Sequence, residues 1–220
     1  MKDTKEASTG RGDIAGLKEK GRTLFKAISK KLDLSPDLPP RCRYICGVDV
    51  AYKGDRAWSA AVIYDLSSKE VVEEVCVEGR TSFPYIPTLL YLREASPMRR
   101  ALTRLLHPLD LILVDANGIL HPERAGLACL LGICMEKPTI GVAKKLLCGE
   151  VKDIEGVKTI LLDGEPVGFM VEGIGARRRL YISPGHRISL RATLRFFQEA
   201  LGDAPLPTQL AHELAARNLH

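Results

Sequence analysis

Three carboxylates in this 220-residue chain stand where apolar structure is expected, and their positions narrow the chemistry they can serve. The first is Asp49, in the middle of the stretch RYICGVDVAYKGDR (43–56). In an extended chain it shares a face with Ile45 and Gly47, while Cys46, Val48 and Val50 line the other, so neither face is polar. The second, Asp115, closes the apolar run of LILVDANG (111–118), at the carboxyl end where open α/β sheets place their ligands. Glu94, the third, lies four and eight residues after Leu90 and Ile86, on the apolar stripe of a predicted helix. It is also near that helix's carboxyl end, where the dipole disfavours negative charge. Lys144 follows TIGVA, and on spacing alone its neighbour Lys145 has equal standing. An ionised carboxylate buried without a partner costs several kcal/mol, so a compensating cation is implied. Hard divalent cations prefer such oxygen donors. Three acids from separate elements with a lysine suit metal-dependent phosphodiester cleavage, Lys144 supplying positive charge to a phosphate or the transition state. Each residue also has a plainer reading: Asp115 as a turn residue before Asn117 and Gly118, Glu94 as the edge of a solvated helix, Lys144 as a surface lysine.

The elements that must position these residues follow from hydrophobic periodicity. Residues 16–34 (GLKEKGRTLFKAISKKLDL) predict an amphipathic helix that ends before the linker SPDLPP. RYICGVDVAY, WSAAVIYDL and EVVEEVCVEG read as three strands in an antiparallel meander, joined by KGDR and SSK. YIPTLLYLREA and PMRRALTRLLH read as helical segments interrupted at Pro97, and DLILVDANG as a central strand covered on both faces. HPERAGLACLLGICME reads as a helix with Pro122 in its first turn, PTIGVAK as a short strand, and VKTILL with EPVGFMV as a hairpin. RLYISPGHR is a strand and turn, and two helices, ISLRATLRFFQEALG and PTQLAHELAARN, finish the chain. Three antiparallel strands followed by alternating helices and strands predict an α/β fold, a mixed sheet flanked by helices.

Length favours one catalytic domain over residues 11–220, with the polar segment 1–10 disordered. No apolar run approaches the ~18 residues of a membrane span, and the amino-terminal residues lack a signal-peptide core, so no membrane partner and a cytoplasmic location are expected. Six cysteines include no CxxC pair and read as small buried thiols. The net charge is +5, and basic residues cluster in MRRALTR and GARRRLY, which suits a polyanion or a solvated face.

Several motifs in order, GVDVAYKGDRAWSAAVIYD, FPYIPTLLYLRE, LILVDANGILHPERAGLA, PTIGVAKKLLCG, LYISPGHRISL and PTQLAHELA, resemble those of the endonuclease V family across about residues 43–215. The resemblance implies an RNase H-like fold, dependence on magnesium with manganese as a substitute, and cleavage of the second phosphodiester bond 3′ to inosine. It implies metal-binding roles for Asp49 and Asp115, a catalytic role for Glu94, and a role for Lys144 as the lysine after GVA. His212 matches a histidine that positions metal or water, and His121 matches another family histidine that also reads as a neighbour of a helix cap. Pro84, Tyr85, Ile86 and Pro87 resemble the family's wedge, a stiff aromatic surface that can replace base stacking during flipping. His186 and Arg187, in a loop similar to one near the nucleic acid, are expected to contact phosphate.

Two departures stand out. Ala116 replaces the usual glycine after the second aspartate, adding a methyl beside the expected base pocket, and Cys129 and Leu130 replace a frequent serine and histidine. The expected partner is inosine-containing nucleic acid, DNA ahead of RNA, bound by a monomer acting in DNA repair. The competing readings are an inosine-specific ribonuclease, another RNase H-like nuclease, and a binding module of the same fold without turnover. Three inward acids that repel phosphate argue against the last.

Overall fold

The computed structural model describes residues 16, 21, 23–39, 41–81, 90–172 and 179–219, with the side chains of 90–92 left aside. The expected segment 1–10 and the wedge residues Pro84, Tyr85, Ile86 and Pro87 lie outside the described residues. Helix α1 covers 23–29. Strands β1 (Tyr44–Lys53), β2 (Arg56–Asp65) and β3 (Glu70–Arg80) form the antiparallel meander. Strand β4 (Leu111–Val114) pairs parallel with β1, and β5 (Thr139–Ala143) pairs parallel with β4. Then come β6 (Glu150–Ile154), β7 (Val157–Leu162), β8 (Glu165–Glu172) and β9 (Arg179–His186), all antiparallel. The sheet order is β3-β2-β1-β4-β5-β9-β8-β7-β6. This is the RNase H-like mixed sheet, with β1 and β4 near its centre.

Both faces of β1 and β4 are buried because helices cover each side. Helices α2 (Leu90–Leu102) and α3 (Leu127–Met135), with α1, close over Cys46, Val48 and Val50. Helix α4 (Leu190–Arg195), the π-helical turn Phe196–Ala200 and α5 (Pro207–Arg217) cover the opposite face, packing on Ile45, Leu111, Leu113, Ala60 and Val62. All four residues of β4 are buried, as its continuous apolar run requires. All six cysteines are free. Among the described residues no helix is long and apolar enough to cross a membrane.

The structure departs from the periodicity reading at several points. Helix α2 runs unbroken through Pro97, which is buried. The hydrogen bond that proline cannot donate is outweighed by packing of α2 on the meander and on α3. Pro122 is in no helix, and α3 begins only at Leu127. The preceding loop is held by other bonds, from Gly118 N to Ser183 Oγ, Ile119 N to Pro184 O, Gly126 N to Gly118 O and Ala128 N to Asn117 O. Strand β6 (EVKDI) is polar enough to have escaped notice because it forms a sheet edge with mostly exposed side chains. The stretch 190–200 is not one α-helix but α4 followed by the π turn.

Gly47 sets how closely α5 lies on β1. A methyl group there would fall 2.0 Å from the carbonyl carbon and oxygen of Pro207 and 2.4 Å from the Thr208 nitrogen. From Thr208 to His212 is four helical residues, about 6 Å, and from Gly47 to Asp49 is two strand residues, about 6.6 Å. The matching rises let one close contact at the start of α5 deliver His212 to Asp49. Gly47→Ala is therefore expected to lift α5 from the sheet, costing about 1–3 kcal/mol by overpacking. Denaturant unfolding checks the cost, and loss of the His212 contact is checked by the imidazole resonances.

Candidate active site

The site is assembled from the carboxyl ends of the central parallel strands. Asp49 projects from β1 toward α5 and is 7% exposed. One of its oxygens accepts a hydrogen bond from the Val50 N–H at 2.7 Å, and the other lies 2.7 Å from Nδ1 of His212. Asp115 follows β4 directly, and its N–H donates to the Val48 carbonyl at 3.1 Å, continuing the parallel pairing of Val48 with Val114. Parallel register thus places Asp115 beside Asp49. Lys144 follows β5 in the same way, and its Nζ forms an ion pair with Asp115 Oδ2. Donor atoms of Asp49, Asp115 and His212 all lie within 4.8 Å of one another.

Glu94 approaches from the other face, on α2. Burial, and then the charges of Asp49 and Asp115, push its carboxyl up to about 8, against the pull of Arg93 and the Tyr52 hydroxyl. Burial first and Asp115 second push Asp49 up to about 6, while Lys144, His212 and the Val50 N–H favour its ionised form. These acids interact too strongly for local groups to neutralise them all, so the cluster is short of positive charge. Two carboxylates and an imidazole converging on one point fit a divalent cation, and the deficit of positive charge is what such an ion would relieve.

Beside the cluster a cleft of roughly 270 Å³, open mouth included, has a largely apolar lining from Val142, Leu180 and Leu206, with Thr208, Gln209, Lys144 and His212 at its polar side. Ala116 is buried next to Asp115 and joins the core beneath α2 and α3.

Not every expected residue meets here. His121 is buried against Phe25 of α1, ring centroids 4.7 Å apart, and its Nδ1 accepts from the Glu123 N–H. His186 pairs with Thr139 at the amino end of β5, whereas Lys144 follows its carboxyl end, about 16 Å further along the strand. There His186 Nδ1 accepts from the Asp33 N–H, and the Arg187 guanidinium donates to the Glu136 carbonyl. Antiparallel pairing of β9 thus carries His186 and Arg187 to the end of the sheet opposite the acids. Sequence reasoning missed Tyr52, which lies on the α2 side of β1 beside Glu94, and Thr208 and Gln209 in the cleft. The signals were present, Tyr52 three residues after Asp49 and Thr208 one helical turn before His212.

Residues 26–213 match the sequence model of the Endonuclease V family. Endonuclease V of Thermofilum pendens is 43% identical over 198 residues, covering 88% of this chain and 85% of the relative. The crystal structure of Endonuclease V from Streptomyces avermitilis superposes with a TM-score of 0.80 at 32% identity, covering 91% of this chain and 92% of that one. Endonuclease V of Ciona intestinalis, in complex with a 24mer DNA containing an inosine followed by a ribo-adenosine, shares the fold with a TM-score of 0.77 at 24% identity, over 96% and 98% of the chains.

The raised carboxyls make the stability of the metal-free protein depend on pH. Unfolded carboxylates titrate near about 4, so between there and about 8 the folded state holds more protons than the unfolded one. Stability therefore falls as pH rises through this window. Glu94→Gln is expected to stabilise the protein in chelator at pH 8.5 by on the order of 2–4 kcal/mol, raising its melting temperature, and to change it little at pH 4.5. Thermal melts at the two pH values check this, and in the wild type added magnesium should stabilise more at pH 8.5.

Proposed function

We infer what this chain does from one premise: it belongs to the endonuclease V family, whose sequence model spans residues 26–213. The family makes it a nuclease, and we read it as a divalent-cation-dependent endonuclease that cuts inosine-containing nucleic acid at the second phosphodiester bond 3′ to the altered base. The observation that carries this reading is the convergence of Asp49, Asp115 and His212 donor atoms within 4.8 Å, with Lys144 on Asp115 and Glu94 close by. A protein of the same fold held with inosine-containing DNA supports the substrate class. We propose DNA, in repair, as the main substrate, a monomer as the working unit and the cytoplasm as its place.

Each residue has a task in this scheme. Asp49 and Asp115, with His212 beside them, would hold magnesium, or manganese in its place, and the ion would neutralise the carboxylates and polarise the scissile phosphodiester. Lys144, partly exposed beside Asp115, presents its ammonium to the phosphate and to the negative charge that builds in the transition state. His212 is oriented by its Nδ1 contact with Asp49, which leaves Nε2 as the atom that can hold a water or leaving-group proton. Glu94, the acid most resistant to ionisation, is suited to proton transfer near neutral pH. Pro84, Tyr85, Ile86 and Pro87 would form the wedge that enters the strand as the base leaves the stack, with Ala116 beside the base pocket. His121 supports the loop after Asp115 through its packing on Phe25.

Matched DNA and RNA strands containing one inosine, incubated with and without magnesium, test the proposal by the position of the cut. Cleavage elsewhere, or in chelator, overturns it; a cut confined to the RNA strand moves the substrate to RNA. Asp115→Ala is expected to slow cleavage by at least about 10³-fold while binding in calcium stays within a few-fold, since removing an anion does not weaken attraction to phosphate. Single-turnover kinetics and a binding titration at fixed salt check the two halves. Lys144→Ala should slow the same step at least about tenfold more than Lys145→Ala, because only Lys144 meets Asp115.

A further inference from the structure

The Tyr52 hydroxyl is a buried polar group with no task in the scheme above. The residue belongs to β1, three residues beyond Asp49, so the strand turns Asp49 toward α5 and Tyr52 toward α2. Its hydroxyl is shielded from solvent yet has no well-aligned hydrogen bond among the described residues. A buried hydroxyl without a partner costs about 1–3 kcal/mol, which makes such a group a candidate for a role outside folding. The ring is fixed from one side, with the Arg93 guanidinium 4.2 Å from its centroid. Residue 93 is followed by Glu94, so one turn of α2 clamps the ring and carries the acid. Helix α2 itself packs directly on β1 and β2, which leaves the phenol little freedom to turn away.

We propose that Tyr52 is a positioning residue for Glu94: its hydroxyl donates to the Glu94 carboxylate and holds it facing Asp49 and Asp115. The electrostatics agree with the geometry. Glu94 is the charge Tyr52 feels most strongly, and the hydroxyl favours the ionised form of Glu94.

This inference rests on the catalytic reading of Glu94, and the test separates the two. Tyr52→Phe keeps the ring and the Arg93 contact and removes only the hydroxyl. The expected result, per folded protein, is a fall of about tenfold or more in the single-turnover rate on an inosine-containing strand, the scale of a hydrogen bond to a charged group. Strand affinity in calcium should stay within twofold and the melting temperature in chelator should not fall. In a Glu94→Gln background, where no carboxylate remains to position, adding Tyr52→Phe should slow the residual cleavage less than twofold. An unchanged rate in Tyr52→Phe overturns the proposal, and so does an equal loss in both backgrounds, which would mean that Tyr52 acts on something other than Glu94. A loss of rate that follows a loss of strand affinity or of melting temperature overturns it as well. If Glu94→Gln alone cleaves at the wild-type rate, the failure lies in the role of Glu94 and takes the inference with it.

Discussion

The interaction on which this structure depends is the repulsion between Asp49 and Asp115, two carboxylates brought together by the parallel pairing of β1 with β4. The pairing cannot be relaxed to separate them. Both strands are buried on both faces, and a shift of one residue would turn Ile45, Val48 and their partners to the wrong side of the sheet. The surroundings answer the repulsion only in part. Lys144 reaches Asp115, His212 reaches Asp49, and burial leaves the remaining imbalance to be met by a cation. A strand core made rigid by apolar packing is what allows two like charges to be held close without drifting apart.

Around that pair the two helical layers act as separate supports. On one side α5 is drawn against β1 by the absence of a side chain at Gly47, and its rise per turn carries His212 to the aspartate. On the other, α2 continues through a buried proline and delivers Glu94, with Arg93 and Tyr52 gathered at the same level. The loop after Asp115 is pressed on β5 so tightly that a methyl at Gly141 would lie 2.2 Å from the Gly118 nitrogen. Each support is a packing constraint, and each ends at a functional group. This is why the residues of the site come from β1, α2, the ends of β4 and β5, and α5 rather than from one contiguous motif.

The substitutions that distinguish this chain from its family pattern have different settings. Cys129 is fully buried in α3 with its thiol pushed up to about 12 by desolvation, so it serves as a small apolar side chain. Ala116 sits directly after a cluster aspartate, with its methyl in the core beneath α2 and α3. The first is a matter of packing, while the second adds a methyl to the core directly after Asp115.

Most of the site was legible in the residues alone because a charge within an apolar run is costly wherever the run ends up. Asp49 and Asp115 declared themselves by that cost, and the periods of two and 3.6 residues were enough to anticipate the meander, the central strand and the closing helices. Other features depended on long-range pairing. The reach of α3 was misjudged because the loop before it is held by Ser183 and Pro184, residues far along the chain. The place of His186 and Arg187, at the end of the sheet away from the acids, follows from the antiparallel direction of β9, which their motif did not reveal. Gly47 carried no signal of its own, since a glycine in a strand is ordinary, and Tyr52 was marked only by its spacing from Asp49. What the sequence by itself determined is which groups are too polar to be buried without a reason. Which of them face one another was decided only by the tertiary structure, because strand direction, register and the approach of a helix are set by contacts between distant segments, as Asp49 and His212, 163 residues apart, show.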